Sequence, residues 1–274
     1  MCGKDIVMDN RAIGVFDSGL GGLTAVKEIM ERLPNENLIY FGDTGRVPYG
    51  TRSEEIIVKY SRQDINFLKS FDVKMIVVAC GTVSSVALPI IKKECDIPII
   101  GVVEATADAA AGATRNNKIG IIGTQGTISS GAYAKRIHSQ NSKIRTYSKA
   151  CPLFVPLVEN GHFDTKVTRL VIEEYLEDIK KQGVDTLILG CTHYPLLEKA
   201  IADYMGSGVR LINSGAEVAK ALEKEYPKLL NKEKNNSQYR YFVSDDTKTF
   251  ERLASSFLQC DINGQVAKTD IEKY

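Results

Sequence analysis

Apolar residues run through this chain in short blocks, separated by longer stretches in which they recur every three or four positions. RAIGVFD gives way to LTAVKEIMERL, NLIYFGD to SEEIIVKYSRQDINFLKSF, and VKMIVVA to VSSVALPIIKKE. A short continuous apolar block fits a strand buried on both faces, and the wider spacing fits an amphipathic helix. Strands alternating with helices in this way predict an α/β fold, with a largely parallel sheet covered by helices on both faces.

Both patterns return in the second half. KIGIIGTQGTISSGAYAKRI follows the layout of AIGVFDSGLGGLTAVKEI, with Gly120 answering Gly14. VDTLILGCTHYPLL follows VKMIVVACGTVSSV, with Cys191 answering Cys80 at nearly the same spacing. Motifs recurring in order suggest a duplicated unit, so two pseudo-symmetric, doubly wound parallel-sheet lobes are expected. GVVEATADAAAGA places one crossing between them near residues 101–113, and NSGAEVAKALEKEY the return. The chain turns charged and polar at NKEKNNSQ. YRYFVSDD and TKTFERLASSFLQ then read as one more strand and helix on the first lobe, with Thr247 as N-cap. The expected division is 1–104 plus 214–274 for the first lobe and 105–213 for the second. Ligands of open α/β sheets bind at the carboxyl ends of the strands. Facing lobes would therefore set Cys80 and Cys191 on opposite walls of one cleft.

Composition narrows the classes. With 43% hydrophobic residues in 274, the chain can bury more than one core. Lys+Arg of 35 against Asp+Glu of 34 leaves a net charge of +1. That balance argues against nucleic acid or an anionic membrane as partner and points to a small molecule. The start, MCGKDIVMDN, lacks the apolar core of a secretory signal, so a cytoplasmic location is expected. The uncharged run from Met75 to Ile91 contains Gly81, Thr82, Ser84, Ser85 and Pro89 and reads as a strand, a turn and a helix start rather than a membrane span. Six cysteines without a CxxC pair, and three histidines at no zinc-like spacing, suggest reduced thiols and no metal.

Five stretches carry candidate chemistry. DSGLGGL follows a strand and opens a helix, where backbone N–H groups favour an anion; Asp17 there either caps the helix or faces a ligand. Its spacing is neither GxxxxGK[ST] nor GxGxxG, which argues against nucleotide phosphates. GDTGRVPYG holds three glycines and a proline, the makings of a loop in which Tyr49 and Gly50 could offer a hydroxyl and a backbone amide. Cys80 and Cys191 each follow an apolar strand, where the N-terminus of a following helix would favour the thiolate, and Thr82 and Thr192 add donors. His193 would share a face with Cys191 only in an extended segment. Glu159, in CPLFVPLVENG, follows two prolines in what reads as an irregular, solvated segment.

DSGLGG, GDTGRVPYG, AC-x-T, VPLVENG and GCTHYPLL appear in that order, and the chain thereby resembles the glutamate racemases of the cofactor-independent aspartate/glutamate racemase family over nearly its whole length. The resemblance implies two α/β lobes around a cleft, with no cofactor. It implies Cys80 and Cys191 as catalytic thiols, with Asp17, His193 and Glu159 assisting. Asp17, Ser18, Pro48, Tyr49, Gly50, Gly81, Thr82, Thr127, Thr192 and His193 match positions that hold the substrate. One departure is Gly81, where the family usually has Asn after the first catalytic Cys; another is Ala105, where many relatives have proline. The implied reaction is interconversion of L- and D-glutamate for peptidoglycan synthesis, Cys191 deprotonating the L and Cys80 the D enantiomer. An aspartate racemase of the same family is the alternative, distinguished by how the cleft reads the side-chain carboxylate. A single-thiol decarboxylase would need one Cys, and a binding module would exchange no α-proton. A homodimer is one option for assembly.

Overall fold

The computed structural model describes residues 9–231 and 237–274. Most of the MCGKDIVMDN start and of the NKEKNNSQ stretch lies outside the described residues. The first part of the chain runs β1 (Ile13–Asp17), α1 (Leu23–Arg32), β2 (Leu38–Gly42), α2 (Glu54–Lys69), β3 (Met75–Val78), α3 (Gly81–Val86), α4 (Leu88–Ile91), β4 (Ile99–Gly101) and α5 (Val102–Ala113). The next part runs β5 (Lys118–Gly123), α6 (Gln125–Ser130), α7 (Ala132–Gln140), β6 (Arg145–Ala150), α8 (Phe154–Glu159), α9 (Lys166–Lys181), β7 (Thr186–Leu189), α10 (Glu198–Met205), β8 (Arg210–Asn213) and α11 (Ser214–Glu225). A tail of β9 (Tyr239–Val243), α12 (Thr247–Leu258) and β10 (Val266–Lys268) completes it.

The strands form two sheets, β10-β9-β2-β1-β3-β4 and β6-β5-β7-β8, and every described pairing is parallel. The order 2-1-3-4 in the first sheet is repeated as 6-5-7-8 in the second, so the two halves share one winding. The paired glycines explain part of that match. A Cβ at Gly14 would lie 3.2 Å from Leu68 of α2, and one at Gly120 would lie 2.8 Å from Ile179 of α9. Each central strand thus carries glycine where the helix after the next strand closes down on it.

Alternation along the strands builds the layers. Ile13 and Val15 of β1 join the apolar cluster containing α1, whereas Phe16 joins Phe41, Phe67 and Leu68 on the other face. Each such side chain removed from water contributes roughly 1.5–3 kcal/mol. The first cluster continues without a break into Leu187, Leu189 and Ile201 beside the second sheet, so the halves share apolar core. Helices α1, α5 and α11 pack there, and the missing side chain of Gly215 lets α11 come within 2.9 Å of the Ala25 backbone, measured from where its Cβ would be.

The tail returns to the first sheet, β9 pairing with β2. Its helix cap differs from expectation. Asp246, not Thr247, is the N-cap, accepting from the Lys248 N–H at 3.0 Å, because a carboxylate adds favourable charge at the helix start to the hydrogen bond a hydroxyl could make. The run from Met75 to Ile91 divides into β3, a turn, α3 and α4, as its small and polar residues require. Among the described residues no helix is long and apolar enough to cross a membrane. Cys80, Cys95, Cys151, Cys191 and Cys260 are free thiols.

Candidate active site

A cavity of about 320 Å³ opens between the carboxyl ends of the two sheets, and both Cys80 and Cys191 line it. The size is at the lower end for small-molecule sites. Cys80 stands two residues beyond β3, as the N-cap of α3. Ala79 donates to Phe16 O at 2.9 Å, which continues the β1–β3 ladder and aims the next side chain into the cleft. The Cys80 Sγ lies 3.4 Å from Ser18 Oγ. Burial and the neighbouring Asp17 charge push this thiol up to about 12, against the opposing hydrogen bonds from Ser18 and the Val83 N–H. Cys80 therefore carries its proton at neutral pH.

Cys191 holds the corresponding place beyond β7, and Gly190 N–H still donates to Ile122 O at 2.8 Å. No α-helix follows it directly. A 3-10 turn, Tyr194–Leu197, intervenes before α10, so the expected helix N-terminus is replaced by a side-chain partner. That partner is His193, whose Nδ1 comes 3.9 Å from Cys191 Sγ. The contact arises in a turn, with His193 at φ −78 and ψ −28, although spacing alone would bring the two side chains to one face only in an extended segment. The other ring nitrogen, Nε2, lies 3.0 Å from Glu159 Oε1. Glu159 ends the short helix α8 rather than lying in an irregular segment; Pro156 is tolerated within the first turn, where no intrahelical N–H is needed.

Burial alone would push His193 down, but the hydrogen bonds and negative charge of Cys191 and Glu159 outweigh it and raise the imidazole to about 10. A folded-state value above the unfolded one means that stability from this network is complete below about pH 6.5 and fades as pH rises through about 10. Thermal melts of wild type and His193→Gln should show a difference that shrinks across that window. A difference that stays constant with pH would show that the imidazole does not hold its proton there.

Asp17 sits behind the cavity wall rather than on it. Its Oδ2 accepts from the Gly19 N–H at 3.0 Å and its Oδ1 faces Thr192 Oγ1 at 3.4 Å, so it spans the two halves. Burial pushes its carboxyl up, while the charge of His193 and the N–H groups of Gly22 and Gly19 oppose that shift. Thr24 Oγ1 donates to Thr192 O at 2.8 Å, fixing the Cys191 turn against α1.

Of the sequence-derived candidates, Ser18, Pro48, Tyr49, Gly50, Cys80, Gly81, Thr82, Glu159, Cys191, Thr192 and His193 line the cavity, and Asp17 and Thr127 stand behind it. The Tyr49 hydroxyl is not offered to a ligand: it turns away and donates to Asp43, with Asp64 Oδ2 at 3.2 Å. Thr124 was missed. It lines the cavity, its hydroxyl lies 2.9 Å from that of Thr82 and 3.0 Å from that of Thr127, and it caps α6. Its place after the β5 strand, equivalent to Ser18 after β1, was the available signal. An apolar wall of Cys151, Pro152, Val155 and Pro156 was also missed, although it adjoins Glu159 in sequence.

Matching α/β halves that bring Cys80 from one side and Cys191 from the other to a shared cleft, with Cys151 in its apolar wall, have the arrangement of a two-lobed racemase. Comparison with known proteins agrees. The Asp/Glu/Hydantoin racemase family profile matches residues 20–222. A glutamate racemase of Geobacter metallireducens is 46% identical over 250 residues, covering 90% of this chain and 93% of that one. The structure of a glutamate racemase isoform from Bacillus anthracis superposes with a TM-score of 0.91 at 39% identity, covering 96% of this chain and 98% of that one. The Francisella tularensis glutamate racemase in complex with D-glutamate gives 0.89 at 40% identity, covering 97% and 100%. The chain belongs to the Asp/Glu/hydantoin racemase family.

Proposed function

We propose that this chain interconverts L- and D-glutamate, supplying the D-enantiomer for peptidoglycan, with Cys80 and Cys191 as the two acid–base groups. The observation that carries the reading is the placement of both thiols in one cavity with unlike surroundings. Racemisation removes a weakly acidic α-proton from one face and delivers a proton to the other. Groups on opposite walls do both without moving around the carbanion. In the L-to-D direction Cys191 takes the proton, with the His193 cation beside its sulfur stabilising negative charge, and the Cys80 thiol delivers its own. In the reverse direction the roles exchange, with Asp17 assisting Cys80 and His193, held by Glu159, assisting Cys191. Backbone N–H groups around Ser18, Gly50 and Gly81 and the hydroxyls of Thr82, Thr124 and Thr192 surround the site where charge develops. The scheme needs no cofactor. The division 1–104 plus 214–274 and 105–213 belongs to the same proposal and is supported by the sheet to which each strand belongs.

The test is proton NMR of L-glutamate, and separately L-aspartate, with the purified protein in deuterated water, followed by chiral analysis. Loss of the glutamate α-proton with D-glutamate appearing is expected. Exchange of aspartate alone would transfer the reading to the aspartate alternative, and exchange of neither would sink it.

A further inference from the structure

The GDTGRVPYG loop forms one wall of the cavity through Val47, Pro48, Tyr49 and Gly50, continued by Thr51 just after it. Its underside is anchored in a buried charged cluster that the cavity does not touch. Arg46 Nε donates to Asp43 Oδ2 at 2.6 Å, its Nη2 to Asp64 Oδ1 at 3.1 Å, and its Nη1 to Gln63 Oε1 at 2.5 Å and Glu272 Oε1 at 3.3 Å. Its guanidinium lies 4.0 Å above the Tyr60 ring, which packs 5.4 Å from the ring of Tyr49. Asp43, Asp64 and Tyr49 are almost fully buried. The Tyr49 hydroxyl ends in this cluster, between the two carboxyls.

We propose that Arg46 is a positioning residue for the proposed racemase: acting through Asp43, Asp64 and the Tyr49 hydroxyl, it holds the Pro48–Thr51 wall in place and thereby sets substrate affinity. This rests on the racemase reading above. Asp43 has one carboxylate oxygen, Oδ1, with no hydrogen-bond partner among the described residues, so its buried charge depends on the other, which Arg46 and Tyr49 share. Without the guanidinium that charge loses its only cationic neighbour in contact among the described residues, and the hydroxyl that pins Tyr49 loses a fixed acceptor. The effect reaches the cleft because Gly50 O accepts from the Gly126 N–H at 2.9 Å, and a Cβ on Gly50 would lie 2.9 Å from Thr124. Displacing Tyr49 therefore moves both the wall and the contact between the halves. Asp64 Oδ2 is the second acceptor facing the Tyr49 hydroxyl, at 3.2 Å; burial and the Asp43 charge push its carboxyl well above the usual range, against the opposing pull of Arg46 and of that hydroxyl.

Steady-state kinetics of Arg46→Gln, Tyr49→Phe and the double variant test the assignment. A wall that binds ground and transition states alike gives a rise in KM for glutamate of about tenfold or more in Arg46→Gln, with kcat within about threefold of wild type. Because both residues act through one contact, the double variant should be scarcely worse than the worse single one. Arg46→Lys, which keeps the charge but not the fork, falls between, and Asp64→Asn, which alters the longer of the two contacts to the Tyr49 hydroxyl, raises KM less than Asp43→Asn. An unchanged KM in Arg46→Gln, an equal fall in kcat, or strictly multiplicative effects would overturn the clamp while leaving the racemase reading intact. Absence of α-proton exchange in the wild type would remove both.

Discussion

Replacing Cys80 with serine lowers racemisation in both directions by about a thousandfold while leaving a one-sided reaction on L-glutamate, the scale expected for loss of an acid–base group. An alcohol is a far weaker acid than a thiol and cannot deliver the second proton. Cys191 and His193 lie on the opposite wall and keep their contact of 3.9 Å, so the α-proton of the L-enantiomer is still removed. With no donor facing it, the carbanion is reprotonated from the side it came from. L-[2-²H]glutamate should then lose its label to water with retention of configuration and yield almost no D-glutamate. Cys191→Ser gives the mirror image, exchange confined to the D-enantiomer. D-glutamate formed by Cys80→Ser at the wild-type rate would end the two-thiol assignment.

A side chain added at position 81 also carries a large cost. The Cβ of any residue there would lie 2.2 Å from Gly190 O, a backbone atom on the opposite wall that is held by the Gly190 N–H to Ile122 O hydrogen bond. The clash is relieved only by spreading the walls that carry Cys80 and Cys191, the residues next to each glycine. Overpacking of this kind costs about 1–3 kcal/mol, which corresponds to roughly a fivefold to 150-fold fall in kcat/KM if it is spent at the site. Gly81→Ala and Gly81→Asn are both expected to show that fall together with a lower melting temperature, because the halves share apolar core and cannot be spread without disturbing it. Asn, the residue that the resemblance leads one to expect here, therefore does not improve this chain. Higher kcat/KM in Gly81→Asn would show that the walls have room to adjust.

The periodicity of apolar residues was enough to specify a parallel α/β fold, and the repeat of Gly14 by Gly120 and Cys80 by Cys191 was enough to reveal two matching halves, because strand burial and close helix approach are local requirements written into neighbouring residues. The same repeat placed both thiols just past strands β3 and β7, which is where the carboxyl ends of two facing sheets meet.

Tertiary structure alone decided what each side chain faces. Glu159, a solvated acid by its sequence surroundings, orients His193 because α8 ends beside the Cys191 turn, 34 positions away in the chain. Tyr49, expected to offer a hydroxyl to the ligand, turns it to Asp43 and Asp64 instead, since burial near Arg46 leaves it better partners beneath the loop than above it. Spacing along the chain reports which groups share a strand or a helix face. Which groups from distant segments share a proton, and how far burial displaces Cys80 and His193 from their ordinary values, depends on contacts across a cleft that exists only once both sheets have formed.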